Sequence, residues 1–217
     1  MKNQSTEDYI KSIYRLQKEG KSVTTSELAR HLQIGDGSVT DMLKKLSIRK
    51  LISYEPYRGV ALTGAGRTLA LKIVRRHRLW EMFLVKYLGY PWDAIHDEAE
   101  RLEHVTSDEL ERRLDITLGF PKVDPHGDPI PNSSGEIEDD KCTALSHFSP
   151  GDSVRVVRVS DDDPAVLKHV AGIGLALNHS LVVTKKMEFD GSMSVKVGTE
   201  EHFVSSKLAE HIFVQQE

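Results

Sequence analysis

The chain has 217 residues and a net charge of −4, with 39% hydrophobic and 29% charged residues, enough for two or three small units with their own cores. No uninterrupted apolar run approaches the ~18 residues of a membrane span, and the first residues lack the apolar stretch of a signal peptide. The single cysteine, Cys142, excludes an intrachain disulfide framework and any cysteine-based zinc site, so a cytoplasmic protein is expected, with no membrane partner. The charge is uneven: residues 1–62 carry eleven Lys and Arg against seven Asp and Glu, whereas residues 131–217 carry eight against fourteen. A basic head on an acidic chain suits a protein whose head alone meets a polyanion.

Residues 6–62 read as three helices and a hairpin. Tyr9, Ile10, Ile13, Tyr14 and Leu16 give the first helix an apolar stripe, and Gly20 is expected to end it. Thr24-Thr-Ser-Glu27 is a capping box, in which hydroxyl and carboxylate satisfy orphan amides. It opens a short helix holding Leu28, Ala29 and Leu32. After a Gly35-Asp-Gly37 turn, a helix over 38–50 turns Val39, Met42, Leu43 and Leu46 inward. Two alternating runs, 51–54 and 59–62, flank a tip at 55–58. That order is the order of a winged helix-turn-helix.

The third helix fits DNA. Ser38, Thr40 and Asp41 lie at its start, where base edges are reached, and Lys44, Lys45 and Arg49 lie further along, where phosphates are. Thr25 and Ser26 open the preceding helix, and Arg58 at the hairpin tip faces phosphate or a minor groove. Phosphate repels Asp41, which must meet a base amino group or point away. The bland alternative is a solvated helix with lysines.

Residues 63–120 read as long helices: one capped by Thr63 and running to Gly89, one with Pro91 in its first turn, and one opened by Thr106-Ser-Asp-Glu109 with Leu110, Leu114 and Leu118 inward. The second carries His96-Asp-Glu-Ala-Glu100-Arg-Leu-Glu103-His104. Ile95, Ala99 and Leu102 recur at i, i+4 and i+7, and His96, Glu100, Glu103 and His104 gather in an arc of roughly 100° beside that stripe. Two imidazoles and two carboxylates beside a buried face form a site for a divalent cation; a charged solvated face is the alternative. So much apolar surface on few helices calls for a second copy of the chain.

From residue 121 the texture changes. Proline-rich and polar stretches follow, with 131–147 expected to be a linker. Residues 148–217 return to short β-rich runs at 153–159, 180–186, 192–197 and 212–214, a small SH3-like β-barrel. The expected fold is thus multidomain and mainly α.

Residue by residue, the chain resembles the diphtheria-toxin-repressor family of metal-dependent transcriptional regulators. The resemblance covers essentially the whole chain. It is carried by Thr6-Glu-Asp-Tyr-Ile-Lys-Ser-Ile-Tyr14, Arg76-His-Arg78, the stretch from His96 to His104 followed by Val-Thr-Ser-Asp108, and Pro125-His-Gly127 with Pro129-Ile-Pro131. It implies a DNA-binding winged helix over 1–62, a metal-binding and dimerisation domain over 63–130, and a tethered SH3-like (FeoA-like) domain. It also implies two metal sites: a primary one of Asp8, Glu100, Glu103 and His104, and a second of His77, Glu81 and His96 with Asp161, or Asp162 or Asp163, from the SH3-like domain.

In the iron-responding branch of the family, Met and Cys stand where this chain has Asp8 and Glu100. Two carboxylates there suit a hard ion, so Mn²⁺ is expected, with Fe²⁺ as the alternative. Some shorter manganese regulators have a glutamate where this chain has Lys11, which points to two separated sites here. Metal tying Asp8 of the head to the dimer body implies repression of metal-uptake genes on double-stranded operator DNA. A metallohydrolase or a metal-storage protein would leave the winged-helix order unexplained, and no nucleophile motif supports catalysis.

Overall fold

The computed structural model describes residues 4–17, 22–55, 58–138, 141–161 and 163–217. The head is built from α1 (Gln4–Leu16), α2 (Thr25–Leu32), α3 (Asp36–Ile48) and the antiparallel hairpin β1 (Ile52–Glu55) with β2 (Gly59–Leu62). Its core gathers Ile10, Ile13, Leu28, Val39, Leu43, Leu46 and Val60, all fully buried. The capping box is formed as expected: Thr24 accepts from the Glu27 amide, and Glu27 accepts from the Thr24 amide. The third helix begins two residues earlier than expected, because Gly35 in extended conformation serves as its N-cap without a side chain. Gly20 and the hairpin tip residues Pro56 and Tyr57 lie outside the described residues.

The body starts with α4 (Gly64–Leu88), capped by Thr63 and ended by Gly89 in the left-handed region. It packs on α1, on α5 (His96–Glu103) and on α6 (Asp108–Leu118). Two expectations need correction. Pro91 is not in a helical first turn: it starts a turn in which its carbonyl accepts from the Ala94 amide, and α5 opens five residues later. Leu110 is 40% exposed, while Leu114 and Leu118 are buried as expected.

The stretch expected to begin the linker is largely folded onto the body. The Ile130 amide donates to Lys122 and Val123 bridges Pro129. The Pro131 carbonyl accepts from Arg75, and Lys122 pairs with Glu138. Prolines and local Asx turns fix this chain without regular structure. Asp139 and Asp140 lie outside the described residues.

The C-terminal unit is a six-stranded antiparallel sheet, β3 (Thr143–Ala144), β4 (Ser153–Val159), β5 (Ser180–Lys186), β6 (Met193–Val197), β7 (Glu200–Val204) and β8 (Ile212–Gln216), in the order β3-β8-β4-β5-β6-β7. Register shifts in β4 and β5 bend it around a core of Val154, Val156, Leu181, Val195 and Ile212. Two helices that periodicity did not reveal, α7 (Pro164–Gly172) and α8 (Ser206–His211), complete this SH3-like unit. It is seated on the body. The Val159 amide donates to the His126 carbonyl, and Trp92 packs on its core. Gly127, at φ +90°, lies so close to Val157 that a Cβ would meet its carbonyl.

Candidate metal centre and DNA-binding face

One helical turn separates His77 from Glu81, so α4 presents both to α5. Both are buried. His77 Nδ1 meets Glu103 Oε2, and its Nε2 lies 3.2 Å from His96 Nδ1 and 3.0 Å from Glu81 Oε1. Asp161, just after β4, reaches the same place. Ligand atoms of His77, Glu81, His96 and Asp161 all lie within 4.8 Å of one another, bringing together the four residues expected for a second site. Asp163 instead caps α7 through the Ala165 amide, and Asp162 lies outside the described residues. Burial penalises charge on both members of the His77–Glu81 pair, but their mutual attraction wins. It holds the imidazole up at about 9 and the carboxyl well below its usual range.

Asp8 on α1, Glu100 on α5 and His104 at the α5 C-cap bring ligand atoms within 4.8 Å of one another. His104 Nε2 is 2.8 Å from Asp8 Oδ1 and 3.4 Å from Glu103 Oε1. Neither approach has hydrogen-bond geometry, so Nε2 is a buried polar atom without a hydrogen bond. Glu7 Oε2 lies 2.7 Å from Nδ1 and holds the proton there. Burial works against the charged ring, yet the Asp8 and Glu7 carboxylates and the Glu103 charge raise it to about 9.

Sequence reasoning missed Glu7, Asp124 and His126 around these clusters, and the partners of Lys11. Glu7 orients His104. Lys11 Nζ sits 2.6 Å from both Glu100 Oε2 and Glu103 Oε1, between two carboxylates of like charge. Asp124 and His126 form a further set with Glu81, all three buried. His126 Nε2 faces the Trp92 carbonyl at 2.7 Å, which leaves Nδ1 as an acceptor. That Nδ1, Asp124 Oδ2 and both Glu81 oxygens are buried without hydrogen bonds. Burial and the Glu81 charge push the Asp124 carboxyl well up. The signal lies in Pro125-His-Gly127, a stretch that carries the family resemblance without announcing a ligand. Such a concentration of buried oxygens and one imidazole nitrogen without hydrogen bonds, held by the His77–Glu81 and Arg78–Asp124 ion pairs, fits a divalent cation.

On the head, Ser26, Ser38, Asp41, Lys44 and Lys45 are exposed, and Thr25 and Thr40 are half-buried. Thr40 Oγ1 donates back to the Asp36 carbonyl. Lys44 offsets Asp41 at 3.5 Å. Arg49, exposed as a residue, donates to Thr6 Oγ1, and Arg58 pairs with Glu55 beside the hairpin tip.

Residues 1–60 match the iron-dependent repressor N-terminal DNA-binding domain, residues 63–132 its metal-binding and dimerisation domain, and residues 143–216 the FeoA domain. The iron-dependent repressor IdeR of Mycobacterium leprae is 37% identical over 160 residues, which span 70% of each chain. The chain belongs to the iron-dependent repressor family. This repressor is also 37% identical to the diphtheria toxin repressor of Corynebacterium diphtheriae over 165 residues, 72% of this chain and 73% of that one. Among solved structures, a manganese-dependent transcriptional repressor in complex with manganese is similar over 98% of this chain and all of that one, at 39% identity and TM-score 0.90. The manganese regulator SloR matches over 98% of each chain at 32% identity and TM-score 0.80. The repressor is therefore a metal-dependent transcriptional regulator with a DNA-binding head, a dimerisation domain and an SH3-like domain. None of its helices, among the described residues, is long and apolar enough to cross a membrane.

Proposed function

We propose that this repressor responds to Mn²⁺ and, as a homodimer in the cytoplasm, shuts off metal-uptake genes by binding their operators. The observation that carries the reading is the donor set that straddles head and body: Asp8 from α1 with Glu100 and His104 from the α5 region, beside Glu103, whose Oε1 is 3.4 Å from His104 Nε2. Three carboxylates and one imidazole suit a hard ion. A bound cation supplies two positive charges to these carboxylates. Asp8 then holds the head, the α5 residues hold the body, and two recognition helices keep the spacing of successive major grooves. The functional units are residues 1–62, 63–130 and 148–217, with 131–147 joining the last two. Exposed Tyr87, Leu88, Leu110, Ile116 and Phe120 supply apolar surface for the partner subunit.

A second ion is held at Glu81, by His77, His96 and Asp161 on one side or by Asp124 and His126 on the other; the orphaned atoms favour the latter set. His96→Ala and His126→Ala separate the two, since only the true ligand's loss removes the second binding event. Ser38, Thr40 and Asp41 read base edges, with Thr25, Ser26, Lys44, Lys45, Arg49 and Arg58 on phosphate.

The test is a gel shift on genomic fragments upstream of metal-uptake genes, with Mn²⁺, Fe²⁺ and Zn²⁺ at matched free concentrations. Retardation at the lowest free Mn²⁺, abolished by chelator, is expected. Equal retardation by chelated protein would overturn the reading. Activation by Fe²⁺ at the lower concentration would make it an iron regulator, as the named IdeR relative is.

A further inference from the structure

Lys11 is among the few buried charged side chains of this protein. It stands one turn after Asp8 on α1, and its ammonium makes 2.6 Å ion pairs with Glu100 Oε2 and Glu103 Oε1 on α5. Its side chain is 5% exposed and that of Glu103 is fully buried. An ammonium is buried this deeply only when its charge is matched and its protons have acceptors. The surrounding carboxylates, Glu7, Asp8, Glu100 and Glu103, face Lys11 and His104, with His77 on the far oxygen of Glu103. Lys11 thus makes the contacts that a cation at this site would make: it neutralises α5 carboxylates and joins head to body.

We propose that Lys11 is a tethered competitor for the primary metal, its ammonium occupying the position between Glu100 and Glu103 that the ion must take. This inference rests on the assignment of those two carboxylates to the primary site. Small divalent cations hold carboxylate oxygens at roughly 2 Å, closer than the ammonium does, and two positive centres cannot both sit against the same oxygens without strong repulsion. The ion therefore displaces Lys11 rather than adding to it. A lysine suits the role, because its charge is a compact point on a flexible stem that can withdraw. The cluster has an open side for that withdrawal, with Asp8 and Glu100 about one-third exposed. Lys11 consequently sets the metal concentration at which the repressor switches on, and limits the site to one ion.

The experiment is calorimetric titration of the full-length dimer with MnCl₂ alone, on wild type, Lys11→Met, Lys11→Gln and Lys11→Arg, together with melting curves in chelator. The neutral variants are expected to bind Mn²⁺ at the primary site about tenfold tighter or more, the scale of removing one unit charge at contact distance. Lys11→Arg keeps the charge and should stay within about threefold of wild type. In chelator the neutral variants should melt lower, having lost the internal cation. Should Lys11→Met not fold, Lys11→Gln, which is polar but uncharged, carries the same expectation. Unchanged or weaker Mn²⁺ binding in the neutral variants overturns the competitor role. Asp8→Ala distinguishes the two levels. If it binds Mn²⁺ as tightly as wild type, the site assignment itself fails. If it weakens binding and Lys11→Gln weakens it too, only the role of Lys11 fails.

Discussion

A proton and the primary cation compete for His104 Nε2, so metal affinity should depend on pH in a defined direction. The carboxylates around His104 raise it to about 9, and its side chain is 4% exposed, so solvent screens the contacts little. At pH 7 the ring is almost wholly charged, and freeing Nε2 costs up to about 2.7 kcal/mol, or about 100-fold in affinity. The sign follows from the raised value. In metal-free protein the charged ring contributes stability that is fully present below about 6.5 and is lost as pH rises through about 9. Metal binding gains what the proton loses, so the Mn²⁺ Kd should fall about tenfold per unit from pH 7 towards pH 9. Calorimetry under anaerobic conditions, in two buffers of different ionisation enthalpy, reads both the slope and the proton released. Glu7→Gln removes one carboxylate that holds the ring charged, so the midpoint should move to lower pH. A Kd flat between pH 7 and 9 with no proton release would refute the reasoning.

Three further outcomes are expected. Asp8→Met combined with Glu100→Cys replaces two hard donors by soft ones; DNA-binding titrations should show the preference moving from Mn²⁺ towards Fe²⁺, and an unmoved preference would show that donor hardness is not the selector. With Asp124 and His126 favoured as partners of Glu81, His126→Ala should remove the second binding event in calorimetry and leave the primary one near intact; loss of that event in Asp161→Ala instead would place the ion with His77, His96 and Asp161. Gly127→Ala forces a side chain into a positive-φ position against the Val157 carbonyl and should cost about 1–3 kcal/mol, seen as a lower melting temperature and faster proteolysis after residue 131 as the SH3-like domain unseats.

What was legible in the sequence was local. Thr24 with Glu27, Thr63 and Ser107 cap their helices through bonds spanning three residues, and such signals survive without tertiary context. His77 with Glu81, and His96 with Glu100, share helix faces by spacing alone. Boundaries set by a residue without a side chain, as at Gly35, were misplaced by two positions. The strand β3 has only two residues, too few for periodicity to register, and β7, Glu-Glu-His-Phe-Val, opens on three polar residues and shows no apolar alternation. Contacts across the fold were the least legible. Glu7 and Lys11 meet the α5 region some ninety residues away, and neither residue type announces such a partner. Asp124 and His126 lie in a proline-rich stretch that composition assigns to loop, though its turns bury both side chains fully or nearly so.

Glu103 has one oxygen towards Lys11 and His104 and the other towards His77. A single rigid carboxylate is thereby a shared boundary between two clusters, and no rotation of it can be favourable to one and invisible to the other. Titration curves fitted as two independent sites will misassign part of each ion's binding energy to its neighbour. A double-substitution cycle between His77 and His104, which meet opposite oxygens of Glu103, should return an interaction energy clearly different from zero. Whatever fills the cluster at His77 first will decide how much remains for the cluster at His104 to contribute, so that the order of loading, and not only the amount of metal, becomes part of the signal.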